Sequence, residues 1–340
     1  TKSYAQYNRE YFFWVGRSCM MNNDYQEAIR TLNTLLRFDE NAFEGYFLRG
    51  IAKYNLDDLL GADTDFSAAI VKNPVFTTAY IYRALTRTRM GNYDDALQDF
   101  REAIDLRPDL PDAYYSRGYT RLQNKQYEEA IEDFDKFIFQ ENKVADAYIG
   151  RGTAYLYLKD TVRALENFDQ AIRTNRENPN GYYQRGTLLL QKEEYARAEA
   201  DFDMSIRCDS AFLPPYFNRA VVYSNTNRPM QALADFDRVL QLDSTNSFTY
   251  FNRAILRTQI GDYNRALDDF DRVALYSPGN VQVYYLRAML KTRLGDLEGA
   301  ERDYTRAIEL YPDFANAYLN RSALRYALHN PKAAKRDEEI

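Results

Sequence analysis

Apolar side chains recur along this chain at helical spacing, in two alternating patterns. In the first, an aromatic residue is followed four positions later by a small one, as with Tyr114 and Gly118, and three further on by another side chain on the same face. In the second, Tyr127, Ala130, Phe134 and Phe137 stand at the i, i+3, i+7 and i+10 steps that also share one face of a helix. Between the two patterns lie Asn22-Asn23-Asp24, Gly91-Asn92, Gly261-Asp262 and Gly295-Asp296, residues suited to a helix C-terminus and a chain reversal. The pattern predicts two amphipathic helices joined by a tight turn, repeated many times.

The repeat is strict. Alanine returns every 34 residues, at 28, 62, 96, 130, 164, 198, 232, 266, 300 and 334. Sixteen residues before it stands an aromatic, from Phe12 and Tyr46 to Tyr318, and twelve before it only Gly, Ala or Ser. Four after it come Leu32, seven phenylalanines from Phe66 to Phe270, and Tyr304; twelve after it four repeats place Pro74, Pro108, Pro278 and Pro312. A fixed period of this length with this pattern resembles the tetratricopeptide repeat, in a bacterial-type array of about ten units. One departure stands out: thirteen before the alanine, where that family usually carries leucine, nine repeats carry arginine.

The resemblance implies an all-α fold, an alpha-alpha superhelix of antiparallel helix pairs with a concave groove. We expect one solenoid over 1–340, with repeats at about 9–42, 43–76, 77–110, 111–144, 145–178, 179–212, 213–246, 247–280 and 281–314, and an incomplete tenth at 315–340. A single helix pair cannot bury its apolar face, so stability is expected from stacking on neighbours. The small residue and the central alanine are expected to meet where the two helices cross. Residues 1–8 are expected to lengthen the first helix, with Ser3 as its N-cap. The start at Thr1, without methionine, is what removal of a leader or of an upstream segment leaves; export is the expectation and a cytoplasmic location the alternative. Glu338, standing where earlier repeats have Phe or Tyr, reads either as a polar capping helix or as an array that continues.

Composition narrows the function. A net charge of -6 and a pI near 5.2 argue against nucleic acid as a partner, and no apolar run is long enough for a membrane span. Cys19 and Cys208 fall in the first and sixth repeats and are expected to be isolated small apolar residues rather than a disulfide. The only histidine, His329, falls in an inter-helix turn; without a second histidine or paired cysteines, no zinc site or cysteine-histidine nucleophile assembles. Gly150-Arg151-Gly152 lies within a helix and lacks the setting of a phosphate loop. We expect no cofactor, no metal and no enzymatic activity.

Two charged rows look structural. The nine arginines, from Arg49 to Arg321, are matched three after each alanine by an acid, from Asp65 to Asp337, with Asn167 substituting once. The first repeat has Val15 and Thr31, losing both together, which predicts that the two positions pair, either within a repeat or between neighbours. Asp-Phe-Asp recurs at 133–135, 201–203, 235–237 and 269–271; residues two apart on a helix point away from each other and cannot chelate one ion. Near the start of the first helices, Glu10, Glu44, Asp112 and Asp146 suit a helix N-terminus and would repel a carboxylate ligand.

Function is expected on helix surfaces, because no repeat carries an insertion. Fifteen before each alanine runs a second apolar stripe that includes Phe47, Tyr115, Tyr183, Phe217, Phe251 and Tyr285. In the family this chain resembles, such positions line the concave groove and hold an extended partner; the alternative is that they fill seams between neighbouring first helices. One position on stand Asn218, Asn252 and Asn320, whose amides can donate to and accept from a partner backbone. The expected function is a scaffold binding a protein or peptide through these residues, with self-association left open. The alternatives are a targeting region of a larger protein whose active domain lies outside this chain, and glycan binding by the tyrosines.

Overall fold

The computed structural model describes residues 2–339, with side chains from Arg9 onward. Its helices fall into two compact units, Thr1–Arg176 and Glu177–Ile340. In the first, antiparallel pairs are formed by α1 (Lys2–Met21) with α2 (Tyr25–Phe38), α3 (Phe43–Asn55) with α4 (Leu59–Lys72), α5 (Thr77–Arg89) with α6 (Tyr93–Leu106), α7 (Pro111–Gln123) with α8 (Tyr127–Gln140), and α9 (Ala145–Tyr157) with α10 (Thr161–Thr174). In the second, the pairs are α11 (Pro179–Gln191) with α12 (Tyr195–Cys208), α13 (Leu213–Asn225) with α14 (Pro229–Leu242), α15 (Ser247–Gln259) with α16 (Tyr263–Tyr276), α17 (Val281–Leu294) with α18 (Leu297–Leu310), and α19 (Ala315–Ala327) with α20 (Pro331–Glu338). The fold is all-α, and no described helix is long and apolar enough to cross a membrane. Helix α1 begins at Lys2, and the side chain of Ser3 lies outside those described.

Every pair turns in the same way. Five residues before each repeat alanine the backbone is left-handed: at Gly91, Gly261 and Gly295 with φ of 79 to 85°, and at Asn23, Asp57, Lys125, Lys159, Glu193, Asn227 and His329 with φ of 56 to 64°. The next residue's N–H returns to the carbonyl five positions back, as from Asp58 to Lys53 at 2.9 Å and Gln126 to Arg121 at 2.8 Å, which closes a Schellman-type end. That same residue caps the second helix. Asp24, Asp58, Asp160, Asp296 and Asn330 accept there from a backbone N–H three residues on.

The alanines are fully buried, and so are Phe66, Phe100, Phe134, Phe168 and Phe202 beside them. The ring beside the alanine takes part in the crossing. What closes over the small residue is the ring four beyond the alanine: a Cβ on Gly50 would come within 2.7 Å of the Phe66 ring, and one on Gly152 within 2.7 Å of the Phe168 ring. The ring fills the space that glycine leaves. In the last repeat both partners change together, since Ser322 replaces the glycine and donates to Glu338 at 3.0 Å, with Tyr326 donating at 3.3 Å. A polar contact thus stands in for an apolar one.

Cys19 on α1 and Cys208 at the end of α12 are half-buried, in different units.

Candidate functional site

The arginine row is architecture. In eight repeats the arginine of the first helix donates from Nε and Nη2 to both oxygens of the aspartate on the second helix, at 2.5–2.9 Å; examples are Arg117 with Asp133 and Arg321 with Asp337. The fifth repeat keeps one such bond, from Arg151 to Asn167 at 2.8 Å. In seven repeats Nη1 also reaches the second helix of the preceding repeat, for example Asn33 from Arg49, Asp203 from Arg219 and Asp271 from Arg287. The two alternatives for the pairing are therefore both realised. Asp-Phe-Asp follows directly, because its first acid holds the arginine of its own repeat, its second that of the next, and the phenylalanine between them enters the core.

Eight of these arginines also lie over the aromatic three residues before them, with 5.4 Å from Arg253 to the Tyr250 ring and 5.6 Å from Arg117 to Tyr114. In six repeats the tyrosine hydroxyl donates to a backbone carbonyl six residues back, as Tyr284 does to Pro278 at 3.2 Å. Burial alone would lower the Arg219 pKa, but its bonds to Asp235 and Asp203 outweigh that and raise it; burial also raises the Asp235 carboxyl against the pull of Arg219. Glu44, Asp112 and Asp146 do occupy the first turns of their helices. Glu10 does not, since α1 starts at Lys2 and places it two turns in.

The aromatic stripe is half-buried at all six expected positions. Phe47 meets Phe66, Tyr82 and Phe76, with ring centres 5.8, 5.3 and 4.9 Å away. Tyr115 packs on Phe137 at 4.9 Å, Tyr183 on Phe212 at 5.3 Å, and Phe217 on Phe248 at 4.9 Å. Phe251 lies 6.2 Å from Phe270, and Tyr285 lies 4.8 Å from Phe314. Phe76, Phe212 and Phe314 are the N-cap residues of the next first helix, so these rings sit at the seam between neighbouring repeats. The asparagines also have partners within the chain: Asn218 donates to Thr187 Oγ1 at 3.0 Å, Asn252 to the Phe248 carbonyl at 2.8 Å, and Asn320 to the Tyr285 hydroxyl at 3.0 Å.

One turn beyond the stripe lies a row that the sequence analysis passed over. In the second unit, Ile255, Thr258 and Gln259 of α15 face Leu286, Met289, Leu290 and Arg293 of α17 across a pocket of about 210 Å³ whose floor is Phe270. Met289 is exposed, and Arg293 lies over the Tyr263 ring at 4.6 Å. In the first unit the matching row holds Ile51, Leu85 and Tyr119, all half-buried. Burial, with Tyr115 second, raises the Tyr119 phenol, which stays neutral and donates to the Asp146 carbonyl at 2.7 Å. The signal for this row was the i+4 step from the stripe, which repeats with apolar residues.

Models of the tetratricopeptide repeat match residues 84–125, 149–211 and 281–314. Among solved structures, a tetratricopeptide repeat protein from Parabacteroides merdae shares 19% identity at a TM-score of 0.57, over 73% of this chain and 98% of that one. The C-terminal part of a repeat-containing protein from Cytophaga hutchinsonii shares 22% at 0.54, over 70% and 97%, and PilF of Pseudomonas aeruginosa 21% at 0.54, over 60% and 92%. These likenesses concern the fold. No curated protein matched the chain.

Proposed function

This chain is a tetratricopeptide-repeat protein, of a fold that generally supports protein–protein interaction, and from that premise we propose that it is a non-enzymatic scaffold binding an extended peptide along its first helices. The observation that carries the reading is the pocket between α15 and α17. Its walls are mostly apolar, its floor is a core ring, and its rim carries the amide of Gln259 and the guanidinium of Arg293. Such a pocket takes one apolar side chain of a peptide and offers polar groups to the flanking backbone. The half-buried edges of Phe217, Phe251 and Tyr285, with Asn218, Asn252 and Asn320 beside them, extend that surface in the second unit. In the first unit Phe47 and Tyr115, and in the second Tyr183, give their neighbours the same support. Most of the energy is assigned to the pocket row rather than to the stripe, because the stripe rings already spend much of their area on seams.

The test is selection from a random-peptide library displayed on phage, using the native chain, Met289→Asp and Phe139→Asp. Phe139 is 92% exposed on α8, a second helix, and serves as the control surface. A charge buried at the pocket is expected to weaken selected peptides at least tenfold. Peptides lost with Met289→Asp and kept with Phe139→Asp support the reading, and the reverse pattern sinks it.

A further inference from the structure

The first helix presents a face that the repeats do not use. Seventeen residues before the alanine, the first helix of a repeat meets the second helix of the preceding one, and in this unit that position holds Gly45, Ala79, Ala113 and Ala147, all buried. The first repeat has Tyr11 there, 55% exposed. It also has Val15 where the others carry the arginine that reaches back to the preceding repeat. The first repeat thus lacks both features by which the others contact the repeat before them. Instead, Tyr11, Trp14, Ser18 and Met21 follow one another along a single exposed face at alternating steps of three and four, with Trp14 59% and Met21 79% exposed. In sequence the same spacing continues back through Tyr7 and Tyr4. That is the spacing of a coiled-coil seam.

We propose that this face of α1 pairs with the same face of a second copy of the chain, antiparallel, about a two-fold axis between Tyr11 and Trp14. The charges that flank the seam select this arrangement. On one side, next to Tyr11 and Trp14, stand Glu10 and Arg17, both exposed. Antiparallel pairing centred there sets Tyr11 of one copy against Trp14 of the other, and brings Glu10 of each alongside Arg17 of its mate. Two opposite-charge contacts result from one symmetric operation. A parallel pairing would instead set Glu10 and Arg17 against Val15 and Asn22 of the mate, and neither opposite-charge contact would form. The guanidinium of Arg17 already lies over the Trp14 ring at 5.3 Å, so the cation sits at the edge of the seam where its mate's carboxylate would meet it. One helix pair buries less than the roughly 1,200 Å² of standard complexes, so the dimer is expected to be weak and concentration-dependent.

Sedimentation velocity of the full chain, from low to several hundred micromolar, tests this, with emission recorded from Trp14, the only tryptophan. The expected result is a reversible shift from monomer to dimer with a matching blue shift of the emission. Trp14→Glu, which removes the fluorophore, should abolish the dimer seen by sedimentation while leaving the circular dichroism spectrum intact. Arg17→Glu alone should weaken the dimer about tenfold, and the swap Glu10→Arg with Arg17→Glu should restore it. The proposal is overturned by a chain that stays monomeric throughout, by a dimer indifferent to Trp14→Glu, or by a swap that fails to rescue. Emission that is already blue and independent of concentration would point to a covering segment of the same chain, and overturns it too.

Discussion

Asp133 shows what one residue does in this array. It is fully buried, takes two bonds from Arg117 at 2.9 and 2.7 Å, and takes a third from Arg121 at 2.7 Å. Arg117 in turn covers the Tyr114 ring. Replacing Asp133 by alanine leaves two cations without their carboxylate in a partly dry seam, and should destabilise the chain by about 3–5 kcal/mol in urea unfolding. A loss below about 1 kcal/mol would mean that water reaches the rung freely. The arginine and aspartate positions were legible as partners because the first repeat loses both at once, at Val15 and Thr31. The bond from the arginine's Nη1 to the preceding repeat was not legible, because the residue it reaches varies from Asn33 to Ser67 to Asp203. A row without a fixed residue type has no signature in one sequence.

At the level of the helix pair, the decisive fit is between a glycine and a ring. Gly150 and Gly152 lie two residues apart on α9; a Cβ on Gly150 would fall 2.5 Å from the Phe134 ring, and one on Gly152 meets Phe168. These two glycines are thus spacers between the core rings of adjacent repeats. Alanine is the better helix former by about 1 kcal/mol, so Gly150→Ala sets propensity against packing. Phe134 is fully buried and has nowhere to go, and net destabilisation of about 1–2 kcal/mol is expected from thermal unfolding. A stabilised variant would show that the ring yields. The turns teach a related point about legibility. Glycine marks the left-handed position at 91, 261 and 295, but seven other residues hold the same geometry, among them Lys125 and Glu193. There the repeat register, not the residue type, fixes the backbone.

Across the molecule, the sequence announced its helices and their partners because a period of 34 residues states every contact many times over. It announced the surface less well. The stripe from Phe47 to Tyr285 and the amides of Asn218 and Asn320 stand out in sequence, yet much of what they touch is their own neighbours. A seam between repeats and a groove for a ligand are adjacent faces of one helix and draw on the same aromatic residues, so periodicity alone does not separate them. The ring contacts of the stripe lie at seams, and the pocket one turn along, at Ile255, Met289 and Arg293, is the surface we propose for a ligand. We propose that recognition belongs to that row of the first helices. Hydrogen exchange of the native chain, with and without a peptide selected on it, is the test. Slowed exchange at 255–259 of α15 and 286–293 of α17 is the predicted result. Protection confined to the second helices, α16 and α18, would contradict it.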